Sequence, residues 1–288
     1  MNITNKYNLP QALVDLVKES QFKPKPNSYS VTALLQDDRE LLLNKRHDDE
    51  IEKDVSEMIN LVLGTSVHSL IEKFDKTGFA EMYLKQEILP GWFLTGKCDL
   101  YDEANATLVD YKTATIWKVT YQDFNDWRMQ GLMYAWLLRK QFKYVGTLKF
   151  HAILKDWSPR DKRLKGDDYP DCQVYTWEYK VTTQDMEDIE KFIYERFINL
   201  VKNESASDDD LPDCSDTWYT GDKYAVLKDA SATRALRVLD SESEAQDYLV
   251  NKCNGVGVII HREGEHRKCQ DYCNCCKFCK YYKEREVK

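Results

Sequence analysis

The 288-residue sequence lacks several features that would place a protein in a class at once. It has no apolar run near the roughly 20 residues of a membrane span, and its N-terminal segment lacks the pattern of a signal peptide. We therefore expect a soluble, cytoplasmic protein that makes no use of a membrane. Positive charge is also lacking, because the net charge is -8. This excludes a general electrostatic attraction to nucleic acid, so nucleic-acid binding requires a local basic surface.

Cysteine is present but unevenly distributed. Four of the nine cysteines are scattered, and the other five lie between Cys269 and Cys279. A secreted disulfide scaffold spreads its cysteines through a small chain, whereas clustering favours a metal site in a reducing compartment.

The periodicity of apolar residues predicts an α/β fold, with a mixed central sheet flanked by helices and a small α+β module at the C-terminus. We expect one long helical region over 48–74, antiparallel strands over 91–102 and 107–115, and a long amphipathic helix over 120–142. A basic, turn-rich loop is expected over 158–171. The predicted domains are an N-terminal helical region (1–55), a core (56–203) and a C-terminal module with the cysteines (204–288).

The stretch "LVDYKTAT" places two opposite charges, Asp110 and Lys112, on one side of a predicted buried strand. Two other acid-x-Lys triplets end at Lys180 and Lys288, but neither has a second acid on a preceding paired strand. The Asp110 triplet does, because Asp99 lies on the other arm of the predicted hairpin.

Converging carboxylates repel each other, and a hard divalent cation such as Mg²⁺ or Mn²⁺ relieves this repulsion. Lys112 beside Asp99 and Asp110 would be a positive group directed at a phosphate or an attacking water. This combination favours phosphodiester hydrolysis.

Further polar residues accompany this pair in a fixed order. His68 lies on a predicted helix before the hairpin, and Gln130 and Tyr134 lie four residues apart on the helix after it. Each would be ordinary alone. Together, His68, Gly96-Lys97-Cys98-Asp99, Asp110-Tyr111-Lys112 and Gln130 to Tyr134 resemble the RecB-like branch of the PD-(D/E)XK nuclease superfamily, in particular its bacteriophage-type members.

The resemblance implies a PD-(D/E)XK core in which a Mg²⁺ or Mn²⁺ ion is bound by His68, Asp99, Asp110 and the backbone carbonyl of Tyr111. It implies that Lys112 acts on the nucleophilic water or the scissile phosphate. Gln130 and Tyr134 would support the site or touch DNA. Glu87 is a weaker candidate for a ligand through water, since a glutamate on a surface strand is the commoner case.

The function implied is a metal-dependent DNA exonuclease of phage type, acting on linear or single-stranded DNA ends in recombination, replication or DNA degradation. A structure-specific endonuclease, a non-catalytic DNA- or protein-binding factor and a zinc-ribbon-type nucleic-acid binder are the alternatives. Recombination or replication proteins, or a second copy of the chain, are candidate partners. The candidate DNA-binding residues, for which a solvated loop is an equal interpretation, are Arg160, Lys162, Arg163 and Lys165.

The cysteines extend the resemblance, because some RecB-like nucleases hold a [4Fe–4S] cluster with three C-terminal cysteines and one distant cysteine. Here these would be Cys269, Cys273 and Cys279 with Cys214, and the cluster would attach the C-terminal module to the core. Cys275 or Cys276 in place of Cys273 remains an alternative. Zn²⁺ in place of the cluster is another, since four thiolates also bind zinc.

Overall fold

The structure is a computed structural model that describes residues 1–20, 25–74 and 78–286. The triplet that ends at Lys288 extends beyond these residues. The chain divides into two compact units, residues 1–206 and 207–288, which are described one at a time. None of the described helices combines the length and the apolar character needed to cross a bilayer.

The first unit contains eight strands and seven helices among its described residues. The strands are β1 (Asn2–Thr4), β2 (Ser28–Ser30), β3 (Glu52–Asp54), β4 (Phe79–Leu89), β5 (Trp92–Asp102), β6 (Thr107–Ala114), β7 (Thr147–Leu154) and β8 (Val174–Lys180). The helices are α1 (Gln11–Glu19), α2 (Asp38–Arg46), α3 (Ile59–Phe74), α4 (Ile116–Thr120), α5 (Asn125–Lys140), α6 (Pro159–Lys165) and α7 (Thr183–Asn203).

Six of these strands form a mixed sheet in the order β2-β5-β6-β7-β8, with β4 paired to β5 as well. The pairs β4–β5, β5–β6 and β7–β8 are antiparallel, whereas β2–β5 and β6–β7 are parallel. The parallel strands β6 and β7 are joined through α4 and α5, because parallel neighbours need a crossover connection. Helices α3 and α5 both contact β6. This confirms the predicted mixed sheet flanked by helices and the predicted hairpin.

The long helix predicted over 48–74 is wrong in its first part, because β3 and a 3-10 turn (Val55–Met58) precede α3. Asp54 causes the change. Its carboxylate accepts hydrogen bonds from the Ser56 amide (3.0 Å) and hydroxyl (2.7 Å), and the Glu57 carboxylate accepts the Asp54 amide (3.3 Å). This capping box fixes a helix start at Asp54 and keeps the preceding acidic residues out of the helix.

A small apolar cluster fixes the position of α3. Val14 and Val17 of α1 pack with Val55, Met58 and Val62, and all five side chains are buried. Since α3 in turn contacts β6, residues at the start of the chain determine where the helix meets the sheet.

The predicted basic loop over 158–171 is also wrong in part, because it contains the short helix α6. Ser158 caps this helix by accepting the Asp161 amide (3.2 Å), and Pro159 occupies its first turn, where a missing N–H costs nothing. Ser158 and Pro159 are therefore a helix start in the sequence, but the turn-forming residues that follow them favoured the prediction of a loop.

The second unit is an α+β module. Its elements are β9 (Lys223–Leu227), β10 (Arg237–Leu239), α8 (Glu242–Cys253), β11 (Val258–Arg262) and α9 (Lys280–Glu286). The strands form an antiparallel sheet in the order β10-β9-β11. Ser241 caps α8 by accepting the Glu244 amide (3.2 Å), and the Glu244 carboxylate accepts the amide of Asp240 (3.3 Å).

The cap of α7 provides a test of the fold of the first unit. The Thr182 hydroxyl accepts the Asp185 amide (3.1 Å) and donates to the Asp185 carboxylate (2.6 Å). We expect Thr182→Ala to lower the free energy of unfolding by about 1 kcal/mol, measured by urea denaturation. Thr183→Ala, one residue later and also exposed, is the matched control. Equal unfolding midpoints for the two variants would contradict this account of the cap.

Candidate active site

The candidate site lies where β5 changes partners along one of its edges. Residues 93–95 of β5 pair with β2, and residues 100–102 pair with β6. Strands β2 and β6 share this edge of β5, and β4 pairs along nearly the whole of the other edge. In the registers of the described strands, residues 96–99 of β5 therefore lie between the ends of β2 and β6. This interval is the predicted Gly96-Lys97-Cys98-Asp99 motif.

Asp99 stands where β5 and β6 diverge. The register Leu100↔Val109 would place Asp99 opposite Asp110 at the next position, but the pairing of β5 with β6 ends at Leu100. Instead, the Asp99 carboxylate accepts the backbone amide of Tyr111 (Oδ2–N 2.9 Å). The same oxygen lies 3.5 Å from Nδ1 of His68 on α3. Asp99 is thus held by a helix on one side and by β6 on the other.

Asp110 and Lys112 extend this arrangement toward α5. Lys112 Nζ lies 2.6 Å from Asp110 Oδ2 and donates to Gln130 Oε1 at 2.8 Å. The Gln130 side chain is in turn hydrogen-bonded to the Tyr134 hydroxyl. Asp110 is only 5% exposed. The structure therefore brings all the predicted nuclease-site residues into one region between α3, α5 and the two diverging strands.

The surroundings shift the pKa values of the two carboxyl groups in opposite directions. Burial raises the pKa of Asp110, and the negative charge of Asp99 adds to this effect, so that the ion pair with Lys112 does not restore the usual value. Burial also acts to raise the pKa of Asp99, but contacts with His68, the Tyr111 amide and Lys112 outweigh it, and the net shift is downward. The bond to Asp99 raises the pKa of His68. The surroundings thus stabilise the charged form of Asp99 and destabilise the charged form of Asp110.

One carboxylate oxygen of this site is deeply buried. Asp110 Oδ2 is shielded from solvent, and the group that reaches it is the Lys112 ammonium at 2.6 Å. A buried carboxylate oxygen of this kind is a ligand for a hard cation, and imidazole and a second carboxylate lie next to it. The donor types therefore fit Mg²⁺ or Mn²⁺. Among the described residues, no three His, Cys, Asp or Glu side chains are arranged as a ready metal site, and Lys112 balances the charge of Asp110.

Gly96 is required by the close approach of Tyr134. A Cβ atom at Gly96 would lie 2.5 Å from Tyr134 Cε1 and 3.1 Å from Val31 Cγ2. Tyr134 is itself buried, and burial raises its pKa. The glycine of the predicted motif therefore lets the aromatic ring of α5 lie directly against β5.

The candidate DNA-binding residues all lie in or at the end of α6. Arg160 and Arg163 are exposed, whereas Lys162 pairs with Asp171 (2.6 Å) and Lys165 lies 4.9 Å from the centre of the Tyr169 ring. The two arginines thus remain the better candidates for a phosphate contact.

Glu87 is not part of the site. Its carboxylate accepts the amide of Gly91 (2.7 Å) in the turn between β4 and β5, and Glu87 pairs in register with Phe93. Asp99 lies six residues further along β5, about 20 Å away at the rise of a strand. The weaker prediction of a water-mediated ligand is therefore wrong.

Several cysteines of the segment 269–279 lie close to one another. Cys273 Sγ lies 3.5 Å from Cys275 Sγ, and burial together with Cys273 and Cys279 raises the pKa of Cys269. Cys214 lies three residues before Thr217, whose carbonyl accepts the amide of Lys268 (3.1 Å). The segment with Cys214 is therefore anchored beside the segment with the other cysteines.

Two exposed aromatic residues near the site were not predicted to be functional. Trp117 lies on α4, which directly follows β6, and Tyr121 caps the C-terminal end of that helix. The signal that could have identified them is their i,i+4 spacing immediately after the charged strand, in a segment whose other apolar residues are buried.

The chain has only distant similarity to known proteins. No family model and no curated protein matches the chain. Among solved structures, the protein SSO0001 shares 15% identity over 65% of this chain and 83% of its own, with a TM-score of 0.47. A phage-related exonuclease from Haemophilus somnus shares 9% over 68% and 83%, with a TM-score of 0.30. A protein named as an exonuclease, from Eubacterium rectale, shares 13% over 65% and 72%, with a TM-score of 0.32. The fold described above rests on the topology of this chain itself.

The two glycines nearest the site predict opposite effects of the same substitution. Gly96→Ala should lower the free energy of unfolding by about 1–3 kcal/mol, because the added methyl group overlaps the Tyr134 ring. Gly64→Ala should raise it by up to about 1 kcal/mol, because Gly64 lies inside α3 and the methyl group would make an ordinary 3.4 Å contact with Thr113. Urea denaturation checks both values. Shifts of the same sign would contradict the packing described.

Proposed function

We propose that the chain is a metal-dependent deoxyribonuclease that hydrolyses phosphodiester bonds as an exonuclease. The observation that carries the proposal is the placement of Asp99 and Asp110 at the point where β5 and β6 diverge, with Lys112 next to them. Two carboxylates and an ammonium group in a half-buried site suit the binding of a divalent cation and a phosphate together.

In this proposal, a Mg²⁺ or Mn²⁺ ion is held by His68, Asp99, Asp110 and the carbonyl of Tyr111. When bound, such an ion supplies charge stabilisation to the phosphate and activates water. The chain's own residues do the rest. Lys112 stabilises negative charge on the phosphate or orients the attacking water, because its ammonium group is held between Asp110 and Gln130 (2.6 and 2.8 Å).

Residues of α5 position this lysine. Gln130 fixes Lys112 through its amide oxygen, and the buried Tyr134 fixes Gln130. This assigns Gln130 and Tyr134 a positioning role for which the packing of Tyr134 against Gly96 provides rigidity.

The proposed substrate is DNA with a free end, and Arg160 and Arg163 are the proposed phosphate contacts outside the site. The order of the sequence motifs supports a phage-type role in recombination, replication or degradation of DNA, together with proteins of those processes. A structure-specific endonuclease would use the same site. Closed circular DNA distinguishes the two, because an exonuclease spares it.

Substitution of the charged strand tests the proposal. We expect Asp110→Ala and Lys112→Ala each to lower the rate of DNA hydrolysis at least about a hundredfold, because each removes a group that faces the reacting phosphate. The assay incubates the purified chain with end-labelled linear DNA and with closed circular DNA, in Mg²⁺ and in chelator. Activity that survives in chelator, or in both variants, would refute the assignment.

The chain provides a matched control in its second acid-x-Lys triplet. Glu178 pairs with Lys149 (2.7 Å) on the neighbouring strand, and Lys180 donates to the Thr147 hydroxyl (2.9 Å). Glu178→Ala and Lys180→Ala should leave hydrolysis unchanged, because both residues lie on β8, at the edge of the sheet.

We also propose that Cys214, Cys269, Cys273 and Cys279 bind a [4Fe–4S] cluster with a structural role. The effect of Cys273 and Cys279 on the pKa of Cys269 and the anchoring of the Cys214 segment support this. The buried Cys275, next to Cys273, is the alternative ligand, and Zn²⁺ is the alternative metal.

The colour and metal content of the protein test the cluster. Protein purified without oxygen should absorb broadly in the visible region and contain iron and sulfide, and Cys279→Ser should lose both. Cys172→Ser is the control, since Cys172 is exposed and lies in the first unit. A colourless protein with one zinc ion, or with no metal, would overturn the cluster.

A further inference from the structure

A pair of exposed aromatic rings, Trp117 in α4 and Tyr121 directly after it, follows the charged strand β6 in the chain. Ile116 and Val119 anchor this helix in the core, whereas Trp117 is 61% and Tyr121 is 64% exposed. The two rings contact each other with centroids 4.4 Å apart and planes inclined by 41°. Trp117 and Tyr121, which are four residues apart, therefore face solvent on the same side instead of packing into the core.

The position of the pair relates it to the charged strand. Trp117 follows Lys112 by only five residues, which limits their Cα separation to about 18 Å. Strands β6 and β7 are parallel, so that Ala114 and Leu154 end at the same edge of the sheet. Helix α4 follows β6 and α6 follows β7. The aromatic pair and the basic helix therefore both lie where ligands bind in open α/β sheets, at the carboxyl ends of the strands.

The aromatic pair is held in place by its own helix. The Tyr121 amide donates to the Trp117 carbonyl (3.0 Å), and Gln122 ends the helix in the left-handed region at φ 50°. Lys118, between the two aromatic residues, is fixed by an ion pair with Asp126 (2.7 Å). The rings are thus presented to solvent in a preorganised position, which lowers the entropy cost of binding a flat partner.

The chemistry of the two rings favours a nucleobase as that partner. An exposed tryptophan and tyrosine offer aromatic faces on which any unpaired base can stack. The exposed Arg160 and Arg163 of α6 supply positive charge for the phosphates that accompany such a base. The net charge of the chain is -8, so that a nucleic acid needs a local basic surface such as the one these arginines provide.

We infer that Trp117 and Tyr121 form a stacking platform for an unpaired nucleobase adjacent to the phosphodiester held at Asp99, Asp110 and Lys112. This rests on the proposed nuclease function and adds a substrate preference to it. A base inside a duplex is covered on both faces by its neighbours, and leaves the stack only at a cost in energy. DNA that ends in a single strand therefore binds better than DNA with a fully paired end.

Binding in chelator tests the platform without hydrolysis. Fluorescence anisotropy of a labelled thymidine oligomer, an abasic oligomer of the same length and a blunt duplex gives three dissociation constants for the full chain. We expect the thymidine oligomer to bind most tightly. Trp117→Ala should weaken its binding about tenfold, toward the abasic value, and Tyr121→Ala should weaken it less. Trp117→Phe should retain most of the affinity, and binding of the abasic oligomer should stay unchanged in all variants.

Phe142→Ala is the matched control, because Phe142 is a fully exposed aromatic residue of the same unit that does not lie on α4. Equal affinity of the wild type for thymidine and abasic oligomers, or an unchanged preference in Trp117→Ala, would overturn the platform and favour a protein-docking surface. Hydrolysis in Mg²⁺ is measured separately. A chain that prefers bases but cleaves no DNA keeps the platform and loses the nuclease function, whereas the reverse result does the opposite.

Discussion

The structure of the first unit depends on the accommodation of two aspartates at neighbouring positions of an antiparallel pair. Continued pairing of β5 and β6 would place Asp99 directly opposite Asp110, and like charges in that position destabilise a sheet. The strands diverge there instead. The hydrogen bond that the ladder would have supplied to the Tyr111 amide comes from the Asp99 side chain at 2.9 Å. Divergence thus avoids the direct pairing of the two carboxylates across the strands.

The placement of the two aspartates also depends on positive and polar groups of α3 and α5, which both contact β6. His68 reaches Asp99 from α3, and Gln130 holds Lys112 from α5. The position of α3 depends in turn on Asp54 and on the apolar cluster with α1, far from the site in sequence. A mutation in the first sixty residues can therefore change the site without touching it, since any rotation of α3 would withdraw the imidazole from Asp99.

The sequence predicted the two strands of the hairpin and the polar residues that the structure brings together, because apolar strands and residues in a fixed motif order are recognisable in the sequence itself. It did not predict where helices begin near polar residues. Asp54 and Ser158 are typical of turns as well as of helix starts, and the outcome depends on hydrogen bonds that only the folded chain provides. The divergence of β5 and β6 was equally hidden, because pairing registers depend on both strands. The distance of Glu87 from the site was hidden for the same reason, because it follows from the register in which β4 pairs with β5.

The two acid-x-Lys triplets of the first unit show why neither pattern nor charge alone defines a site. On β8, Glu178 and Lys180 find complementary partners on β7, at side-chain exposures of 48% and 34% for the Glu178–Lys149 pair, where such a pair contributes little energy. On β6, the neighbouring strand offers a second carboxylate instead, and Asp110 and Lys112 are 7% and 17% exposed. Burial then makes the unbalanced charge costly. Under the proposed function, binding of a cation and a phosphate would relieve that cost, so that the same three-residue pattern would be inert on an edge strand and reactive where two strands part.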